Sequence, residues 1–295
     1  MARGSISLPQ VALPDRRGFL ETKRKDTWWA FPLITLLYFL AAIVYLNWAG
    51  WHGEHYYFEG AYEDGSRAQY LSPAYSPVLW SDTSRVGSAP LHHAWFGEWP
   101  SWLPKAIWLI PITPAFLILA IPGGFRFTCY YYRGAYYKAF WGDPVNCAVG
   151  EPGFRGKKFR GERWLPLSFM NIHRYFLYGA LIFNVILTYD AVLSYIFVNA
   201  DGSHRFGIGV GSLVITLNAA LLAFYSFGCH SLRHLVGGVK DCVSANPLRH
   251  KTYDCVSCFN RWHMQWAWIS LFWVCFTDLY IRLCSMGIWS DWRII

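Results

Sequence analysis

Residues 27–51, Thr27-Trp-Trp-Ala-Phe-Pro-Leu-Ile-Thr-Leu-Leu-Tyr-Phe-Leu-Ala-Ala-Ile-Val-Tyr-Leu-Asn-Trp-Ala-Gly-Trp51, contain no charged side chain. A hydrocarbon core about 30 Å thick is crossed by roughly 20 apolar residues in a helix, so this stretch makes lipid the solvent of the chain. Four further segments extend the pattern. Ala106 to Phe125 is charge-free, with kinks expected at Pro111, Pro114 and Pro122; Tyr175 to Ala200 carries only Asp190; Phe206 to Gly228 carries no charge. Trp262 to Leu283 carries Asp278 and Arg282, whose four-residue spacing puts them on one helical face where they can neutralise each other. The expected fold is an all-α membrane protein, a bundle of five transmembrane helices with a cytoplasmic N-terminus. Residues 1–27 form a polar cytoplasmic arm, residues 28–295 one anchor domain, and a sizeable outer loop, His52 to Pro104, joins helices 1 and 2 as a small cap.

Composition agrees with that reading. Of 295 residues, 54% are hydrophobic and only 15% charged, below the roughly 25% of soluble domains. The 17 Trp, 19 Tyr and 21 Phe suit a chain crossing two membrane interfaces. The net charge of +8 would suit a nucleic-acid binder only if it formed a patch on a soluble surface. Sorted by the five spans, 20 of the 26 Lys and Arg and 8 of the 18 acids fall on the N-terminal side, a net +12 against −4 on the other. Positive charge is retained in the cytoplasm, so the surplus reports orientation and excludes nucleic acid as a partner. The first 27 residues are polar and the first apolar run is long enough to span, so no cleavable signal peptide is expected. No internal repeat is evident.

Thiols and imidazoles follow the same sorting. Cys129, Cys147, Cys229, Cys242, Cys255 and Cys258 lie at or beyond the cytoplasmic helix ends, with His173, His230, His234, His250 and His263. A reducing face argues against disulfides and leaves the rim furnished for thiolate and imidazole ligation. In Cys229-His230-Ser231-Leu232-Arg233-His234 the two imidazoles are four residues apart and would leave one face of a continuing helix toward one metal ion; an interfacial pair capping carbonyls is the bland alternative. Phe127-Thr128-Cys129-Tyr130-Tyr131-Tyr132-Arg133 and the loop bearing Cys147 offer two thiols, or two small packing residues. Cys255-Val256-Ser257-Cys258 has knuckle spacing, but a lone CxxC is a weak signal. A dihaem arrangement is disfavoured because the first two spans hold no histidine; a single haem near His173 stays open. Asp190, an intramembrane carboxylate, is either a proton-handling group or a near-interface acid bonded to Tyr189, Tyr195 or an outer-loop donor.

The segments Phe125 to Trp141, Asn171-Ile172-His173-Arg174-Tyr175-Phe176 and Phe227 to Gly238, with the five spans, resemble the membrane-anchor subunit of the three-subunit succinate dehydrogenase of mycobacteria and other actinobacteria. That resemblance covers most of residues 105–290. It implies a haem-free anchor in a bacterial plasma membrane, docked on a flavoprotein subunit and an iron–sulfur subunit and able to enter a higher oligomer. The anchor would carry a membrane-embedded Rieske-type [2Fe–2S] cluster and pass electrons to a menaquinone- or ubiquinone-type quinone. Within it, Cys129, Cys147, His230 and His234 are the expected cluster ligands, with Cys229, His173 and the Cys255–Cys258 pair as rivals. Cys229 ranks lower because on a continuous helix it points about 100° away from His230. His173, Arg133, Tyr137 and Trp141 are the expected quinone lining. A haem b anchor and a non-redox transporter or scaffold are the competing readings.

Overall fold

The computed structural model describes residues 17–107, 110–144, 149–151, 153–156, 163–165, 167–238 and 241–295. The chain divides into two compact units, Met1–Leu40 with Cys129–Met170, and Ala41–Thr128 with Asn171–Ile295.

In the first unit lie the opening turns of α1 (Ala30–His52) and the amphipathic α3 (Tyr130–Ala139). Phe39 is buried against Tyr132, Tyr136 and Phe140, with ring centroids 5.3, 5.4 and 6.0 Å away. Phe31, Ile34 and Leu37 of α1 are exposed, as expected of a helix whose surroundings are hydrocarbon. Arg17 pairs with Glu151 at 2.5 Å, and the Thr22 hydroxyl and Lys23 N–H also donate to that carboxylate.

The second unit is a helical bundle under a small β-cap. Its helices are α2 (Pro114–Phe127), α4 (His173–Leu193), α5 (Val210–Phe227) and α8 (His263–Ser285), with the rest of α1. The cap sheet has strand order β1-β2-β5-β6: β1 (Tyr57–Ala61) and β2 (Arg67–Leu71) come from the long loop, β5 (Ile196–Val198) and β6 (His204–Phe206) from the α4–α5 connection. All its pairings are antiparallel; Tyr57 opposes Leu71, and Ile196 opposes Phe206. The C-terminal segment is tied down by Asp291, which accepts from Tyr62, Tyr70 and Tyr280 at 2.5, 2.7 and 2.5 Å and from the Gly211 N–H at 2.8 Å. At the other end of the bundle, α6 (His230–Gly237) packs on α7 (Pro247–Arg261). There Arg233 donates to Ser257 over 3.0 Å and lies 5.0 Å over the Tyr253 ring.

Among the described residues, four helices are long and apolar enough to cross a membrane: Ala30–His52, Ser168–Leu193, Val210–Phe227 and His263–Ser285. The expected second span is corrected. Its first residues form a short antiparallel pair, β3 (Ala106–Ile107) with β4 (Ile110–Pro111), and the helix begins only at Pro114. Proline at the first helical position fixes the start, and a residue before a proline is driven from helical backbone. The remaining 14 residues of α2 rise about 21 Å, short of a full crossing. The all-helical expectation is also corrected by the cap strands, and the third span ends at Leu193 rather than Ala200. Asp190 therefore sits in the last turns of α4, where the Ser76 hydroxyl of the cap loop donates to it. That is the outer-loop donor foreseen above.

Candidate redox site at the helix breaks

α5 stops at Phe227, and Gly228 takes φ −77° and ψ −2° while its N–H returns to the Phe224 carbonyl at 2.9 Å. Cys229 then adopts extended backbone, φ −65° and ψ 136°, and caps α6: its sulfur accepts the Ser231 N–H at 3.4 Å. The helix that was expected to run through Cys229 and His230 is thus broken between them, which removes the objection to Cys229.

The same device closes α2. Thr128 takes φ −84° and ψ −4° with its N–H on the Gly124 carbonyl, and Cys129 takes φ −64° and ψ 131° before α3 begins. In both places the Arg four residues beyond the cysteine, Arg133 or Arg233, donates its N–H to the cysteine carbonyl at 3.1 Å. Four residues before each cysteine stands an aromatic ring stacked on the histidine that opens a long helix. Phe125 lies 4.8 Å from His173 at an interplanar angle of 6°, and Tyr225 lies 5.0 Å from His263 at 14°. Aromatic-x-Phe-x-Cys-x-x-x-Arg therefore occurs at 125–133 and again at 225–233, an internal repeat that corrects the sequence reading.

Phe125 and Tyr225 also meet each other, 5.1 Å apart, so His173, Phe125, Tyr225 and His263 form one chain of rings. Arg126 lies 4.8 Å over Tyr225 and donates to the Ala267 carbonyl at 3.0 Å and the Ser270 hydroxyl at 2.9 Å. Nε2 of His173 is 3.2 Å from Sγ of Cys229, and its Nδ1 is 2.7 Å from the Thr128 hydroxyl. Both sulfurs of the repeat belong to fully buried residues, and His263 is 2% exposed. A thiol and an imidazole nitrogen facing each other, here a buried cysteine and a half-buried histidine, are donors of the kind a metal centre takes. Among the described residues no group of three or more His, Cys, Asp or Glu is placed to hold a metal ion.

The other expected residues are distributed as follows. His230 and His234 lie on one face of α6, both exposed, and Nδ1 of His234 accepts from Arg174 at 3.3 Å. Burial of part of its ring, and then Arg233, hold His230 below the ordinary imidazole value. Cys147 lies outside the described residues. Cys255 and Cys258 are exposed on α7. Arg133 and Tyr137 share one face of α3 in the first unit, and the ring of Trp141, just beyond its end, lies 5.5 Å from that of Tyr137, whereas His173 belongs to the second unit. Sequence reasoning ranked Cys229 below Cys129 and Cys147 and named His263 only among the rim imidazoles. The signals were the glycine before Cys229, the residue type most often found where a helix ends, and the match of the two cysteine motifs at a separation of 100 residues.

Residues 30–287 match the family model described as "Actinobacterial succinate dehydrogenase subunit SdhC". No curated protein matches the chain. A solved structure, the Mycobacterium smegmatis Sdh1 complex in the apo form, contains a chain 38% identical to this one; each is covered over 100% of its length, with a TM-score of 0.75. The protein belongs to the actinobacterial succinate dehydrogenase SdhC family and is a membrane subunit of that enzyme complex.

Proposed function

We propose that this subunit carries electrons from the iron–sulfur subunit of succinate dehydrogenase through a Rieske-type [2Fe–2S] centre to a membrane quinone. The observation that supports the reading is the approach of half-buried His173 Nε2 to the buried Cys229 Sγ at 3.2 Å. It supplies one donor of each kind that a two-Cys, two-His centre takes. The repeat extends the set: His263 stands to Tyr225 as His173 stands to Phe125, and Cys129 is the counterpart of Cys229 in local backbone. We therefore assign Cys229, His173 and His263, all of the second unit, in place of His230 and His234, and keep the second thiolate among the cysteines expected from the sequence, Cys129 and Cys147. When bound, such a centre relays single electrons at a potential raised by its imidazole ligands. The chain's own part is to hold the Cys229 thiolate at a helix N-cap and to fix two imidazoles by ring stacking. Arg133, Tyr137 and Trp141 are the proposed quinone lining, and α2 is the fifth, shorter helix of a bundle with its N-terminus in the cytoplasm of a bacterium. The basic cytoplasmic rim offers a docking face to the flavoprotein and iron–sulfur subunits.

Purified complex carrying Cys229→Ser or His173→Ala tests this. The expected result is loss of succinate:quinone activity with succinate oxidation by an artificial acceptor retained, and loss of one [2Fe–2S] equivalent on iron and acid-labile sulfide analysis. An unimpaired quinone rate in both variants would refute the assignment.

A further inference from the structure

The Thr128 hydroxyl touches two partners at hydrogen-bond distance, the Gly124 carbonyl at 2.7 Å and Nδ1 of His173 at 2.7 Å. A hydroxyl has one proton. Two oxygens 2.7 Å apart repel unless that proton lies between them, so Thr128 donates to Gly124 within its own helix turn. Its oxygen is then an acceptor toward the imidazole, and His173 Nδ1 must carry the proton. The stacked Phe125 ring, 4.8 Å away and only 6° from parallel, prevents the imidazole from turning over to exchange its nitrogens. Nε2 is left with its lone pair directed at Cys229.

Resting on the reading above, we propose that Thr128 is a positioning residue that fixes the tautomer of His173, so that this histidine ligates the redox centre through Nε2 and never through Nδ1. The second half of the repeat lacks the device. Gly228 occupies the position of Thr128, and a Cβ there would come 3.1 Å from Nδ1 of His263. The two imidazoles are therefore held differently: His263 bonds to the Tyr225 backbone, where His173 meets a hydroxyl. An acceptor on the distal N–H makes a ligating imidazole more basic and favours the oxidised metal. Thr128 accordingly lowers the midpoint potential of the centre.

The test uses the whole complex from a histidine auxotroph fed histidine labelled with 15N at Nε2 or at Nδ1. Electron–nuclear double resonance of the reduced centre should show at least one strongly coupled 15N in the Nε2-labelled sample. Thr128→Val should move the midpoint to higher potential at unchanged iron content per assembled complex, and Thr128→Ser should restore the wild-type value. Strongly coupled nitrogens that are all Nδ1, or a T128V potential equal to wild type, would overturn the inference while leaving the centre in place. Absence of any such signal from wild-type complex would overturn the functional reading and this inference together. If T128V does not assemble, the labelling result on wild type decides.

Discussion

Arg282 donates from Nε to Asp278 over 2.7 Å, and neither side chain is more than 1% exposed. The carboxylate also accepts from Tyr45 at 2.7 Å and from Ser72 of the cap, while the guanidinium reaches the carbonyls of Ala49 at 2.8 Å and Glu54 at 2.6 Å. The pair thus fastens α8 to the end of α1 and to the cap. Removing one member leaves an uncompensated buried charge, at a cost of about 3–5 kcal/mol. Asp278→Ala is expected to lower the unfolding temperature of the detergent-solubilised complex markedly, read by tryptophan fluorescence. Asp278→Asn combined with Arg282→Met should recover part of the loss. An unchanged melting temperature in D278A would contradict this role.

Gly228 is hemmed in by backbone. A Cβ there would meet the Phe224 and Phe259 carbonyl oxygens at 3.0 Å each as well as His263. Its φ of −77° suits any residue, so the constraint is space and not conformation. Gly228→Ala should destabilise by about 1–3 kcal/mol as the crowded turn shifts, and should perturb the spectrum of the proposed redox centre through His263. A variant with wild-type melting and wild-type line positions would show that the close fit has no consequence.

Acid should loosen the cap before it disturbs the bundle. The Ser66 hydroxyl and then Arg293 hold Asp64 down to about 2, and Asp82 stays at about 2 because its bonds to Ser84 and Lys105 outweigh the opposing effect of burial. Both folded values lie below the unfolded value of roughly 3.9. The folded state therefore prefers the ionised form, and the stabilisation is present above pH 4 and lost as pH falls toward 2. Hydrogen exchange of residues 57–71 and 82–99 should accelerate from pH 5 to pH 3 relative to the helices, after correction for intrinsic rates. Uniform protection across that range would contradict it.

The legible part of the fold was whatever lipid dictates. Long charge-free runs such as 27–51 identify crossing helices because a bilayer admits few alternatives. The start of α2 was not legible from apolarity, since Ala106–Pro111 is as apolar as a helix and only its prolines separate the two. The cap was foreseen as a folded loop, but half of its sheet comes from the α4–α5 connection, a long-range pairing that leaves no mark on local sequence. At the candidate site, Cys229 was ranked lower because the helix was taken as continuous across Gly228. Its geometry depends on a break one residue long, and what fixes that break is the packing of Asn260 on the Gly228 carbonyl, at 2.6 Å.

Membrane orientation can be tested with thiols. Cys242, Cys255 and Cys258 are exposed, and a hydrogen bond from the Ser244 hydroxyl holds the Cys242 thiol below its usual value, which raises its thiolate fraction. A membrane-impermeant maleimide should modify Cys242 in inverted vesicles and spare it in right-side-out ones. The reverse pattern would place the basic rim outside the cell and overturn the proposed topology.

Buried Cys229 and half-buried His173 are the proposed ligands of an iron–sulfur relay. The most direct measurement is low-temperature electron paramagnetic resonance of the purified complex after mild reduction. A rhombic signal with the low average g value of a two-Cys, two-His [2Fe–2S] centre is expected, abolished by Cys229→Ser. A complex that reduces quinone with no such signal, and shows a haem b band in its reduced-minus-oxidised spectrum instead, would contradict it.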